Sequence, residues 1–287
     1  MTRISTNYQE MHDNIVKAGV GYLEKHDKVK NLIIGLSGGI DSTLTAVLAR
    51  DICDATGKHR LIGFSIPTAS NKKSEVELAA KVGRKFCHEF KQVNWFKWLF
   101  LKDKVPFRKY ERKVRSGNMK ARARMMYLYH MAHKYNGLVL STDNLTEYHL
   151  GFWTLHGDVG DLGLIQNLWK TEAYGLANFI SSQLFKWFAE GNYVDWLEFG
   201  VKSKIISEVI VAVPTDGLGI TESDFDQLGV RNYKEADKIL VEYIYDKNTK
   251  WADHPIAVRY RENAFKRTNP HNIPREVVLP GPKPVNL

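Results

Sequence analysis

Residues 35 to 42 read Gly35-Leu36-Ser37-Gly38-Gly39-Ile40-Asp41-Ser42, between the apolar run Leu32-Ile33-Ile34 and the helical run Thr43-Leu44-Thr45-Ala46-Val47-Leu48-Ala49. A strand, a hydroxyl-rich glycine turn and a helix start in immediate succession form the repeating unit of a parallel α/β sheet. The same succession brings backbone N–H groups, hydroxyls and the positive end of a helix dipole to one point, which suits phosphate. Gly38 and Gly39 permit positive φ and close backbone approach. Ser37 and Ser42 offer donors, and Asp41 can hold a magnesium ion bridging phosphate oxygens. The spacing is neither Gly-x-x-x-x-Gly-Lys-Ser/Thr nor Gly-x-Gly-x-x-Gly, so it is not a Walker loop or a dinucleotide-type glycine loop. The plainer alternative is a turn whose helix is capped by Asp41 or Ser42.

Strand and helix patterns alternate along the chain. Residues 7–26 predict an amphipathic helix, 31–35 a buried strand, 43–56 a helix, 61–66 a strand ending at Pro67 and 72–86 a helix. A short strand is expected at 91–93, a long helix at 118–135 and a buried strand at 137–141. The expected fold class is therefore α/β, a parallel β-sheet flanked by helices on both faces. Ligands of such folds collect at the carboxyl ends of strands, so the loops after Ile34, Ile66 and Leu140 should converge. Residues 1–275 read as a single domain, and the proline-rich 276–287 as an extended tail.

The 287 residues are ample for a sizeable core. Cys53 and Cys87 have no metal-ligand spacing and suggest no disulfide framework. The opening MTRISTNYQEMHDN lacks the apolar core of a signal peptide and no apolar run approaches spanning length, so a cytoplasmic protein without a membrane partner is expected. The net charge of +9 favours anionic partners, a condition that nucleotides and RNA both meet. Basic residues crowd Lys102 to Arg124, as a solvated helical face or a binding surface. His88, His130 and His133 fit no metal constellation, while His149 lies near Glu147 with no decided role.

Ser37-Gly38-Gly39-Ile40-Asp41-Ser42 resembles the pyrophosphate loop of the ATP pyrophosphatases. Further motifs narrow the resemblance: Asn118-Met119-Lys120-Ala121-Arg122-Ala123-Arg124-Met125, Ser141-Thr142-Asp143-Asn144-Leu145-Thr146-Glu147, Gly151-Phe152, Gly157-Asp158 and Trp169-Lys170-Thr171-Glu172. Their order is similar to that of ammonia-dependent NAD synthetases. Val213-Pro214-Thr215-Asp216-Gly217-Leu218 resembles that family's Pro-Thr-Ala-Asp-Leu segment, and Phe265-Lys266-Arg267 its His-Lys-Arg close. The resemblance implies an adenine-nucleotide alpha-hydrolase-like, Rossmann-like fold. It also implies amidation of deamido-NAD by ammonia through an adenylate, with ATP as co-substrate, giving NAD, AMP and pyrophosphate.

Residue by residue, the resemblance assigns Gly35, Leu36, Ser37, Gly38, Gly39, Ile40, Asp41, Ser42, Thr142, Lys170 and Thr215 to ATP. Asp41 and Glu147 would hold Mg²⁺, and with Lys170 they would neutralise charge during catalysis. Arg122, Asp161 and Lys266 would bind deamido-NAD. A homodimer is implied and nucleic acid is not. Position 2 is Thr2 and the length leaves no space for a glutaminase domain, so free ammonia is the expected nitrogen donor.

The sequence also departs from the family. Leu155 stands where a substrate-binding lysine is usual, Gly157-Asp158-Val159-Gly160-Asp161 is one residue short, and Phe265 replaces a histidine. An insertion around 181–205 carries Phe185, Trp187, Phe188, Tyr193, Trp196 and Phe199, which read as core or subunit contacts rather than a base-stacking platform. Two other readings stay open. The basic segment would suit an RNA-modifying ATP pyrophosphatase, and the departures would suit a nucleotide-binding homologue that has lost activity.

Overall fold

The structure, a computed structural model, describes residues 4–94, 109–191, 196–212, 225, 228–269, 272–274 and 277. Among the described residues five strands form the sheet: β1 (Asn31–Gly35), β2 (Arg60–Ser65), β3 (Glu89–Gln92), β4 (Gly137–Ser141) and β5 (Leu162–Gly163). They run in the order β3-β2-β1-β4-β5, every pairing parallel. Ile33 pairs with Ile62 on one side and Val139 on the other, so β1 is the central strand. The strand order reverses between β1 and β4, and that switch point opens a crevice above the strand ends.

Helices α1 (Tyr8–Lys25), α2 (Ile40–Thr56), α3 (Lys73–Phe86), α4 (Lys109–Lys134), α5 (Leu145–Leu150), α6 (Lys170–Glu190) and α7 (Trp196–Val211) follow in chain order. After them come α8 (Tyr233–Ile244), α9 (Pro255–Glu262) and α10 (Ala264–Arg267). On one face of the sheet Ile33, Ile62, Phe64 and Val139 meet Met125, Leu128 and Ala132 of α4. On the other, Leu32, Ile34 and Leu61 meet α2, α3, α6 and α7 through residues such as Leu44, Leu48, Val82, Leu176 and Ile206. Burial on both faces is why β1 reads as an unbroken apolar run instead of an alternating one. A separate cluster of Leu150, Trp169, Ile239, Leu240 and Ile256 joins α5 to α8 and α9.

Some boundaries move. Helix α2 begins at Ile40, three residues before the expected Thr43, because Gly39 serves as its N-cap and the motif itself supplies the first turn. Helix α4 begins at Lys109 instead of 118 and passes through Gly117. A glycine in a helix interior costs only about 1 kcal/mol relative to alanine, which packing of the apolar face against the sheet offsets. Strand β3 lies at Glu89–Gln92, displaced from 91–93.

The segment expected as an insertion is the end of α6 and most of α7. Buried Ser181 and Ser203 exchange hydrogen bonds between these helices, their hydroxyls 3.0 Å apart. Further along, Phe188 stacks on Trp196 and Trp187 packs beside Phe199, with centroids 5.4 and 5.5 Å apart. Tyr193 and, apart from Val277, the tail lie outside the described residues. Cys53 and Cys87 are buried thiols that burial pushes up to about 12. Among the described residues no helix is long and apolar enough to cross a membrane.

Candidate active site

The glycine turn follows directly from its sequence. Gly38 sits at φ +90°, and a side chain there would collide with the backbone carbonyl of Glu75. Gly39 caps α2 without a side-chain hydrogen bond, and Asp41 and Ser42 lie inside the first turn, so neither is the cap. The helix therefore starts with a positive end that no side chain caps, beside the crevice that Gly39 and Ile40 line. Beside it the Ser37 and Ser42 hydroxyls lie 3.1 Å apart, and the Gly39 N–H donates to Ser37 Oγ at 3.2 Å.

Across the switch point, Asn144 ties two acids together. Its Oδ1 accepts the Glu147 N–H at 3.0 Å, capping α5, while its Nδ2 donates to Asp41 Oδ1 at 2.9 Å. Lys170, the first residue of α6, completes the cluster. Its Nζ donates to Asp41 Oδ2 at 2.5 Å and to Glu147 Oε1 at 2.9 Å, with the lysine side chain only 4% exposed. Burial opposes the charge on Lys170, but Asp41 and Glu147 outweigh it and hold the ammonium well above the ordinary lysine range. Burial likewise pushes the Glu147 carboxyl upward, opposed by the Lys170 charge.

A fifth residue locks this arrangement. Asp237 of α8 is fully buried and accepts the Thr146 hydroxyl at 2.5 Å, the Thr171 hydroxyl at 2.5 Å and the Thr171 N–H at 2.8 Å. The Lys170 N–H in turn donates to Thr146 Oγ1 at 2.8 Å. One carboxylate thus joins the first turns of α5 and α6, which carry Glu147 and Lys170. Sequence reasoning missed it. The available signal was an aspartate on the apolar stripe of α8, among Tyr233, Ala236 and Leu240.

The expected convergence of loops is present. Gly35, Leu36, Ser37, Ser65, Ile66, Pro67, Leu140, Thr142, Asp143 and Asp158 line one crevice. A second, adjoining crevice is lined by Gly38, Gly39, Ile40, Lys170 and Tyr174, and the two share Ser37, Asp41, Asn71 and Glu147. Burial, followed by the nearby Asp158, pushes Asp143 up to about 7. Arg124 donates to Ile66 O and Asn71 Oδ1, each at 3.0 Å, and so holds the wall after β2.

The residues assigned to the dinucleotide are differently placed. Arg122 Nε donates to Leu155 O at 3.0 Å, and Lys266 Nζ donates to Gly151 O and Trp153 O, both at 2.7 Å. Asp161 accepts the Tyr129 hydroxyl at 2.8 Å and the Val139 N–H at 2.9 Å. Thr215 lies outside the described residues. His149 is buried against Trp169, with ring centroids 5.4 Å apart; burial and then Arg267 push it down to about 4, so it is neutral at physiological pH.

The NAD synthase family model matches residues 12–270. The chain is 32% identical over 216 residues to the NH3-dependent NAD+ synthetase of Methanocaldococcus jannaschii, covering 74% of this chain and 73% of the relative. It is 30% identical over 254 residues to the enzyme of the same name from Methanococcoides burtonii, covering 84% and 86%. The solved structure of NMN synthetase from Francisella tularensis shares the fold, with a TM-score of 0.68 and 24% identity over 91% of this chain and 96% of that one. A glycine turn, two acids and a lysine meeting at the switch point of such a sheet accompany a sequence match across nearly its whole length: the chain belongs to the NAD synthase family.

Proposed function

We propose that the crevice between β1 and β4 carries the family's reaction through Asp41, Glu147 and Lys170, with free ammonia as the nitrogen donor. The reaction is the ATP-dependent amidation of deamido-NAD to NAD. The observation that carries the residue assignment is the meeting of these three side chains beside the glycine turn.

A nicotinate carboxylate is a poor acyl electrophile, because resonance and negative charge repel a nucleophile. One of its oxygens attacks the α-phosphorus of ATP, the bond to the pyrophosphate oxygen breaks, and an acyl adenylate forms. Ammonia then attacks the acyl carbon, loses a proton and expels AMP. Both steps need alignment and charge neutralisation more than a protein nucleophile. The glycine turn and the start of α2 receive the phosphates, and Lys170 lies within the crevice that the turn lines.

The donor set fits Mg²⁺. Asp41 and Glu147 already converge on one cation, the Lys170 ammonium, and a hard ion takes a few protein oxygens and completes its shell with phosphate and water. Bound there, the ion would neutralise phosphate charge. Arg122, Asp161 and Lys266 frame the deamido-NAD side, Thr142 and Thr215 complete the ATP side, and the enzyme works in the cytoplasm as a homodimer. Residues 1–275 act as one domain.

Incubating the purified protein with ATP, Mg²⁺, ammonium and deamido-NAD, followed by mass analysis, tests the reading. NAD, AMP and pyrophosphate in equal amounts are expected, with glutamine unable to replace ammonium. AMP release that depends on RNA, or no product at all, would overturn it. A parallel incubation with nicotinate mononucleotide reads whether turnover requires the second nucleotide.

A further inference from the structure

The Lys170 ammonium lies between Asp41 and Glu147, on the position the proposed function gives to a divalent ion, and the inference that follows rests on that reading. We infer that Lys170 is a built-in stand-in cation: it keeps the ligand-free site closed to metal and yields its place only when the ion arrives with the triphosphate.

Three observations carry this. First, Nζ contacts both acids at 2.5 and 2.9 Å while the lysine is 4% exposed, so it occupies the space between the carboxylates and is not a surface partner of one of them. Two facing, largely buried carboxylates repel each other, and a resident positive charge removes that cost when no ligand is bound.

Second, the described residues contain no group of three or more histidine, cysteine, aspartate or glutamate side chains able to hold a metal ion. Two carboxylates leave most of the shell of a divalent cation to be filled from elsewhere. Without phosphate oxygens, the ion competes poorly against an ammonium tethered to the protein.

Third, the lysine is anchored at its backbone and has somewhere to go. Its N–H is fixed to Thr146 Oγ1, and its side chain is a flexible four-carbon stem. The crevice that Lys170 lines also contains Gly38, Gly39 and Ile40 of the phosphate turn, and Nζ already lies 5.1 Å over the Tyr233 ring. Leaving the acids, the ammonium stays within this crevice, where a phosphate group can replace the carboxylates as its partner. Metal and nucleotide affinities are then reciprocally linked.

The test is Mn²⁺ binding to the whole protein, read from the free-ion electron paramagnetic resonance signal with and without α,β-methylene-ATP. The wild-type protein should bind Mn²⁺ at least about tenfold more tightly with the analogue than without it. Lys170→Met should bind Mn²⁺ without nucleotide at least about tenfold more tightly than wild type does. Tight nucleotide-free binding by wild type, or equally weak binding by a folded Lys170→Met protein, would overturn the inference and leave the metal site standing. If Lys170→Met does not fold, Lys170→Gln, which keeps a polar head group between the acids without the charge, supplies the same comparison with the same expected and overturning results. No Mn²⁺ binding even with the analogue, or binding unchanged by Asp41→Asn, would remove the metal site and the inference with it.

Discussion

The two sides of the crevice are built on different plans. On the side assigned to phosphate, Asp41, Asn144, Glu147 and Lys170 hold one another, and the start of α2 is left without a side-chain cap. On the side assigned to deamido-NAD, Arg122, Asp161 and Lys266 each engage the chain's own backbone: Leu155 O, the Val139 N–H, and Gly151 O with Trp153 O. On the first side the two acids are fixed through Asn144 before any ligand arrives, and only the Lys170 ammonium changes partner. The second is a frame whose charged groups shape loops and must share or exchange partners to touch a ligand. Charge neutralisation gains most from groups that need no reorganisation at the moment of reaction, whereas recognition of a large flexible substrate tolerates loops that adjust.

Removing one acid from the first side should have the largest effect. Asp41→Asn or Glu147→Gln is expected to lower kcat and ATP–pyrophosphate exchange by ~10²–10³-fold, and near wild-type exchange in either would break the comparison. On the second side, Lys266→Ala should raise KM for deamido-NAD about tenfold with KM for ATP almost unchanged, because it releases the loop from Gly151 to Trp153. Equal weakening of both substrates would show that the sides are not separate.

Asp237→Asn sharpens the account of how the first side is held. The new amide turns its NH2 toward either the Thr146 donor or the Thr171 donors, so denaturant unfolding should lose roughly 1–3 kcal/mol and kcat should fall severalfold. An unchanged unfolding midpoint would mean that the two helix starts hold without it.

The smallest effect concerns Asp143 in the ligand-free protein. Its carboxyl is raised from 3.8 to about 7, so its protonated form stabilises the fold fully below about pH 4, and that contribution is lost as pH rises towards 7. Asp143→Asn should therefore melt higher than wild type at pH 8, by a few degrees, with the gap closing by pH 4. A gap independent of pH would point to packing and not to ionisation.

Much of the scaffold was legible. The runs at Leu32-Ile33-Ile34 and Leu138-Val139-Leu140 read as buried strands because their faces pack against helices, and hydrophobic burial leaves a mark in any local window. The start of α2 was read three residues late, because capping by Gly39 is a matter of backbone conformation that a propensity pattern does not carry. Asp41, Glu147 and Lys170 are singled out by motif order, and the structure brings the three side chains together. That Lys170 bridges the two acids was not visible, since it lies 129 positions from Asp41. Asn144 lies inside the Ser141–Glu147 motif with no role that the sequence assigns, and Asp237 lies in no motif at all.

The sequence by itself determined the alternating α/β architecture, the glycine turn and the kinds of side chain available to phosphate, because local backbone freedom and apolar periodicity are properties of neighbouring residues. Only the tertiary structure decided which charge faces which. Strand order brings the ends of β1 and β4 together, and α8 supplies the carboxylate that locks α5 and α6. Electrostatic interaction depends on distance through space and on burial, and neither is written in any single stretch of chain.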